Sequence, residues 1–319
     1  MLRRIFISIL PLALAIPGAA PVSAQNFPNK PIRMVAGETG GAGDFGARIV
    51  AQALAAALGH QVIVDNRGGT VVPLEIVTRA PADGHTLLYY GASLWLLPYM
   101  RDNASWDPIK DFSPITLAVS SPNLIVAHPS LAANSVKELI ALAKSKPGSL
   151  NYASGITGSS SHLAAELFKS MAGVNIVRIT YKGIGPALND LIGGQVQLSF
   201  ANVSAGLPHV RSGKLKLLAV TSAQSSALVP GAPTVAASGL PGYESASIFC
   251  IFAPAATPAP IIGRLNQEIN RVLNQADVKQ RFLNTGVETV GTTPAELSAR
   301  IKSEMTKLGK VIKEAGIRE

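Results

Sequence analysis

Ile32-Arg33-Met34-Val35, Gly41-Ala42-Gly43-Asp44-Phe45-Gly46 and Gln61-Val62-Ile63-Val64-Asp65 together spell one βαβ unit. The first and third stretches are short and β-branched, as strands are. The glycine turn between them opens a helix predicted over 44–58, with Phe45, Ile49 and Ala53 on one face and Gly59 just past its end. Asp44 reads as the N-cap of that helix, and Arg48, four residues on, as its surface partner.

The same alternation runs on along the chain. A helical segment at 74–79 and a strand at 86–90 are followed by strands at 115–119 and 124–127. Ser135-Val136-Lys137-Glu138 has capping-box spacing and predicts a helix to about Lys144, ended by Pro147 and Gly148. A second series follows: a strand at 150–153, a helix to Met171, a strand at 177–179, a helix from Pro186, and strands at 198–201 and 216–220. A strand at 248–253, a helix near 261–275 and a last helix opened by Thr293-Pro294-Ala295-Glu296 complete the chain. Strands alternating with helices predict an α/β architecture with largely parallel sheets. Two series parted near Ser120-Ser121-Pro122-Asn123 predict two lobes: residues 25–122 with 252–319, and residues 123–251.

The chain has 319 residues and a formal net charge of +9. It starts with Met1-Leu2-Arg3-Arg4, an apolar run to Ala20 broken by Pro11, Pro17 and Gly18, and a small-x-small site at Val22-Ser23-Ala24. That is the layout of a secretory signal peptide, residues 1–24, and the mature protein is expected in the periplasm. No cysteine follows the cleavage site, so a lipid anchor is not expected. The basic excess has no polybasic run, and aromatics are 5% of residues, which argues against nucleic acid and leaves mild attraction for small anions. Cys250 is the only cysteine, which excludes an intramolecular disulfide, and its apolar setting predicts a buried strand. The five histidines are scattered, with no HExxH, so no metal site is expected. Without a GxSxG elbow, serine-hydrolase chemistry has no anchor.

Gly41 to Gly46 also matches GxGxxG, with Asp65 about 20 residues on where a ribose-binding acid would stand. Three features oppose a dinucleotide. The strand ends several residues before the first glycine, Asp44 would repel a pyrophosphate, and the leader sends the chain where nicotinamide cofactors are scarce. What remains is a helix start whose free N–H groups and close backbone approach suit a carboxylate. Asn151-Tyr152-Ala153-Ser154-Gly155-Ile156-Thr157-Gly158-Ser159-Ser160-Ser161-His162 is a second strand-to-helix turn of this kind, with hydroxyls at Thr157, Ser159 and Ser160. Caps and turns use the same residues, so the two readings compete. Two such turns at the carboxyl ends of strands would face each other across a cleft.

Ordered blocks then carry a resemblance over essentially the whole mature chain. They include Lys30-Pro31-Ile32-Arg33, Asp65-Asn66-Arg67, Pro81-Ala82-Asp83-Gly84-His85-Thr86-Leu87 and Trp106-Asp107-Pro108-Ile109-Lys110-Asp111-Phe112. Tyr181-Lys182-Gly183, Asp190-Leu191-Ile192-Gly193-Gly194-Gln195-Val196 and Gly239-Leu240-Pro241-Gly242-Tyr243 follow. The chain resembles the Bug family of periplasmic solute receptors, the substrate-binding components of tripartite tricarboxylate transporters. The resemblance implies a type II periplasmic-binding-protein fold, two α/β lobes with a hinge that close on a small carboxylate. It also implies that a carboxylate is held through the two turns, without a buried arginine. Gly40, Gly41 and Asp44 on one turn and Thr157, Gly158, Ser159 and Ser160 on the other are thereby candidate ligand residues. Ser93 and Trp95 fall where family members often reach the ligand, Trp95 as a stacking surface or as packing. Tyr181 and Asn202 complete the set. Glu38 and Ala201 depart from the family pattern; Glu38 would repel a second carboxylate, bind a cation or simply lie exposed to solvent.

The expected role is a non-enzymatic, monomeric receptor for a small organic anion, aromatic or dicarboxylic, with no cofactor and with membrane permease subunits as partners. Rival readings are a ligand-sensing adaptor for a signalling partner and, further off, a periplasmic enzyme or a dinucleotide-binding protein.

Overall fold

β1 (Ile32–Ala36) pairs in parallel with both β2 (Val62–Asn66) and β3 (Thr86–Gly91), with α1 (Ala42–Leu58) crossing between the first two. The computed structural model describes residues 27–37, 39 and 42–318, so the leader at 1–24 and Glu38, Gly40 and Gly41 lie outside the described residues. The buried stripe of α1 is Ala47, Val50, Ala51 and Leu54 with Ile49, while Phe45 is 57% exposed. The predicted face was therefore rotated at its first residue. Val50 and Leu54, fully buried on that stripe, each contribute roughly 1.5–3 kcal/mol.

α2 (Val72–Thr78) follows β2, and α3 (Ser93–Leu96) with a 3-10 turn at Leu97–Tyr99 follows β3. β4 (Phe112–Ala127) is one 16-residue strand where the sequence suggested two. Ser120 to Asn123 is not a break but a change of partners. Up to Pro122 the strand pairs with β9 (Ala246–Pro254), and from Asn123 it pairs with β7 (Leu198–Asn202) and β8 (Lys216–Val220). Every one of these pairings is antiparallel, and so is that of β3 with β9, so the sheets are mixed rather than largely parallel.

Beyond β4 come α4 (Val136–Ser145), β5 (Asn151–Ser154), α5 (Ser160–Ala172), β6 (Val177–Thr180) and α6 (Ile184–Ile192). β5 pairs in parallel with β6 and β7, which makes a second sheet joined to the first through β4. α7 (Val203–Arg211), capped by Asn202 and containing Pro208, was not evident in the sequence. α8 (Ala259–Leu273), α9 (Ala276–Leu283), β10 (Glu288–Thr289) and α10 (Pro294–Glu314) return to the first sheet, where β10 pairs with β4.

Three apolar clusters hold these layers. One lies between the first sheet and α1 and α8, and one between the second sheet and α6 and α7. The third runs across both sheets and takes in α3, α5 and α10. Where the chain passes between the sheets, the buried Thr221 hydroxyl accepts from the Asn123 N–H at 2.7 Å and donates to the Ser245 carbonyl at 2.6 Å. Both passing strands are thus fastened at one residue.

Candidate functional site

A cavity of about 540 Å³ lies where the starts of α1 and α5, the α3 segment, the residues leading into β9 and the middle of α10 meet. The turn before α5 is built tightly. Gly158 adopts φ +77°, and a side chain there would meet Met100 Sδ at 3.2 Å. The Gly158 N–H donates to His162 Nδ1 at 3.1 Å, and the Gly155 N–H donates to Ser161 Oγ at 3.1 Å. Burial, reinforced by the Arg178 charge, pushes the His162 imidazole down to about 4, so at neutral pH it is the uncharged acceptor this turn needs. Arg178 backs the turn, donating to Ser154 Oγ (2.8 Å), the Gly155 carbonyl (3.0 Å) and Thr157 Oγ1 (3.3 Å).

Ser159 stands at the N-cap of α5, yet no side chain caps this helix, and its hydroxyl pairs with Ser161 Oγ at 3.1 Å. The Ser135, Asn202 and Thr293 helix starts, by contrast, are each closed by their own side chain. The first N–H groups of α5 thus have no side-chain cap, and Ser159 and Ser160 beside them line the cavity, the Ser160 hydroxyl donating to Asn123 Oδ1 at 3.5 Å.

Of the candidate residues, Ser93, Thr157, Gly158, Ser159 and Ser160 line the cavity together. Gly40 and Gly41 lie outside the described residues. Asp44 corrects the expected N-cap. It sits in the first turn of α1 rather than at its N-cap, and it is buried behind the wall, paired with Arg48 Nε at 2.7 Å and accepting from Asn66 Nδ2 at 3.0 Å. Trp95 is fully buried in the core, its indole N–H on Glu304 Oε2 at 3.0 Å, so it packs rather than stacks on a ligand. The Tyr181 hydroxyl donates to Asp190 Oδ2 at 2.7 Å, and burial with that bond pushes its phenol up to about 12. Asn202 caps α7 through the Ala205 N–H. Neither Tyr181 nor Asn202 lines the cavity. Asp65, the would-be ribose acid, is held by Arg33 and Arg67. Burial pushes its carboxyl up, but those bonds bring it to a net position below the ordinary range.

Sequence reasoning missed the α10 wall. Glu304 and Glu244 line the cavity and share Arg300, whose Nε donates to Glu304 Oε1 at 2.7 Å and whose other arm pairs with Glu244. A signal was there: Leu297, Ile301, Leu308 and Val311 form a buried stripe on α10, and Glu304 falls in it. Tyr89 was missed as well. It stacks on Phe249, lines the cavity, and carries a buried hydroxyl with no partner among the described residues.

The sequence model of the family described as "Tripartite tricarboxylate transporter family receptor" matches residues 46–317. Protein BugT of Bordetella pertussis is 35% identical over 320 residues, covering 97% of this chain and 97% of BugT. Among solved structures, a Rhodopseudomonas palustris protein with adipate is 34% identical with a TM-score of 0.71, covering 92% of this chain and 99% of that one. MatC from the same organism, with bound malate, is 29% identical with a TM-score of 0.66, covering 90% and 100%. The mixed, two-sheet α/β architecture is the periplasmic-binding-protein fold that the sequence led us to expect.

Proposed function

This chain belongs to the tripartite tricarboxylate transporter receptor family, and we propose that its cavity captures a small organic carboxylate in the periplasm for delivery to membrane permease subunits. The observation that carries this reading is the uncapped α5 start with Thr157, Ser159 and Ser160 around it, inside a cavity large enough for a small organic acid. Charge-assisted hydrogen bonds from those N–H and O–H groups hold the anion, and Arg178 behind the turn makes the potential there more positive. The adipate and malate seen with two relatives support the ligand class. Family membership supports the permease partner and the periplasmic setting, and no helix among the described residues is long and apolar enough to cross a membrane.

Because all of β9 pairs in the first sheet, the return falls at Ala246 rather than 252: residues 27–122 with 246–318 act as one lobe and 123–245 as the other. They close by a hinge at the two passing strands, and the bound ligand shifts the population toward the closed form. The cavity is a binding site without turnover.

Replacing Ser159 and Ser160 together by Ala tests the site. Two hydrogen bonds to a charged group, at about 1.5 kcal/mol each, predict a loss of affinity of roughly a hundredfold with the fold intact. Calorimetric titration with adipate, malate and benzoate, with NADH as control, reads it. Unchanged affinity for every acid removes the turn from the site, and binding of NADH alone would restore the dinucleotide reading.

A further inference from the structure

We propose that the cavity is built for a monocarboxylate with an apolar body, and that the Glu244–Glu304 wall turns away a second carboxylate. This rests on the carboxylate reading above and narrows it.

The cavity is electrically lopsided. Positive charge stands behind the donor turn, where Arg178 is bonded to Ser154, Gly155 and Thr157. On the α10 wall stand Glu244 and Glu304, sharing the single guanidinium of Arg300. Arg300 is spent on those two partners, and among the described lining residues there is no lysine, arginine or histidine. Burial, with the Glu244 charge nearby, leaves the Glu304 carboxyl above the ordinary range although Arg300 and Trp95 draw it back, so Glu244 carries most of the negative charge of this wall. Both Glu304 oxygens already accept, from Arg300 Nε and Trp95 Nε1, so this wall offers no cation to an incoming anion.

Apolar side chains share the lining with the hydroxyls of Ser93, Ser247 and Tyr89. Leu96 and Leu97 come from the α3 segment, Leu163 lies one turn into α5, and Leu308 lies one turn beyond Glu304. Met100, Ile248, Ile156 and Phe249 add to that lining. An acid with its carboxylate on the Ser159–Ser160 turn lays the rest of its body against these side chains. A methyl group or ring there leaves water at a gain. A second carboxylate there gives up its hydration for a site that already holds acidic oxygens and has no free donor of positive charge.

Hexanoate and adipate make the test, being six-carbon acids that differ only at the far end. Titration of the purified protein should give hexanoate at least about tenfold tighter than adipate, the scale of one poorly screened like-charge contact. Benzoate against terephthalate repeats the comparison on a rigid body and needs no variant. Glu244→Gln, checked for folding by circular dichroism, should narrow both gaps by strengthening the dicarboxylates. Adipate and terephthalate binding as tightly as their monocarboxylate counterparts would overturn the proposal and leave the carboxylate reading standing. Gaps that persist unchanged in Glu244→Gln would overturn the assignment to this wall. Failure of all four acids would overturn both readings.

Discussion

His162 shows how one side chain can make a binding turn depend on pH. Its Nδ1 accepts the Gly158 N–H, a bond that an imidazolium cannot accept. Its titration near pH 4 in the fold, against an ordinary value of 6.5, means that the unfolded chain takes up a proton first as pH falls. Stability from this residue is therefore present above pH 6.5 and is lost as pH falls from there toward 4. The expected loss is about 2 kcal/mol between pH 7 and pH 4.5. Urea denaturation at those two pH values measures it. His162→Gln keeps an acceptor for Gly158 and does not titrate, so it should lose correspondingly less; an equal loss in both proteins would place the pH sensitivity elsewhere.

At the scale of elements, α10 is the helix whose start the sequence spelled out most fully. Thr293 accepts from the Glu296 N–H, and the Glu296 carboxylate accepts from the Thr293 N–H at 2.8 Å, the reciprocal box that the spacing predicted. Thr293→Ala should cost about 1 kcal/mol and lower the melting midpoint by about 2 °C. Glu304 lies three turns away, so ligand affinity should not move; a parallel loss of affinity would show that fraying reaches the cavity. Strands and helices with strong period and clear caps were legible in this way: β1, β5, α4 and α10 lie within a residue or two of their predicted bounds. What was not legible has physical causes. Pro122 inside β4 reads as a break because a proline cannot donate to a ladder, yet the strand only changes partners there. α7 hides behind Pro208 and Gly206, two residues earlier. The hydroxyl turn of the cavity was legible because it is local in sequence. The Glu244–Arg300–Glu304 wall was not, because its members stand up to 60 residues apart and only the fold brings them together.

For the molecule as a whole, the two strands that pass between the sheets are fastened by Thr221, and Asn123 beside it donates through Nδ2 to the Ser160 carbonyl at 3.3 Å. The binding turn and the passage between the sheets are thereby joined through one asparagine. The cavity's lining has a consequence of another kind. The proposed grip is made of N–H and O–H dipoles, without a lysine or arginine on the described wall. Dissolved ions compete with exposed charges over a distance of about 10 Å at 0.1 M, but they reach a dipole sealed against its ligand poorly. The dissociation constant for hexanoate should therefore change by less than about threefold between 0.05 and 0.5 M sodium chloride. A weakening of tenfold or more would reveal a counter-ion in the grip. A catch of this kind would keep most of its hold from fresh water to brine.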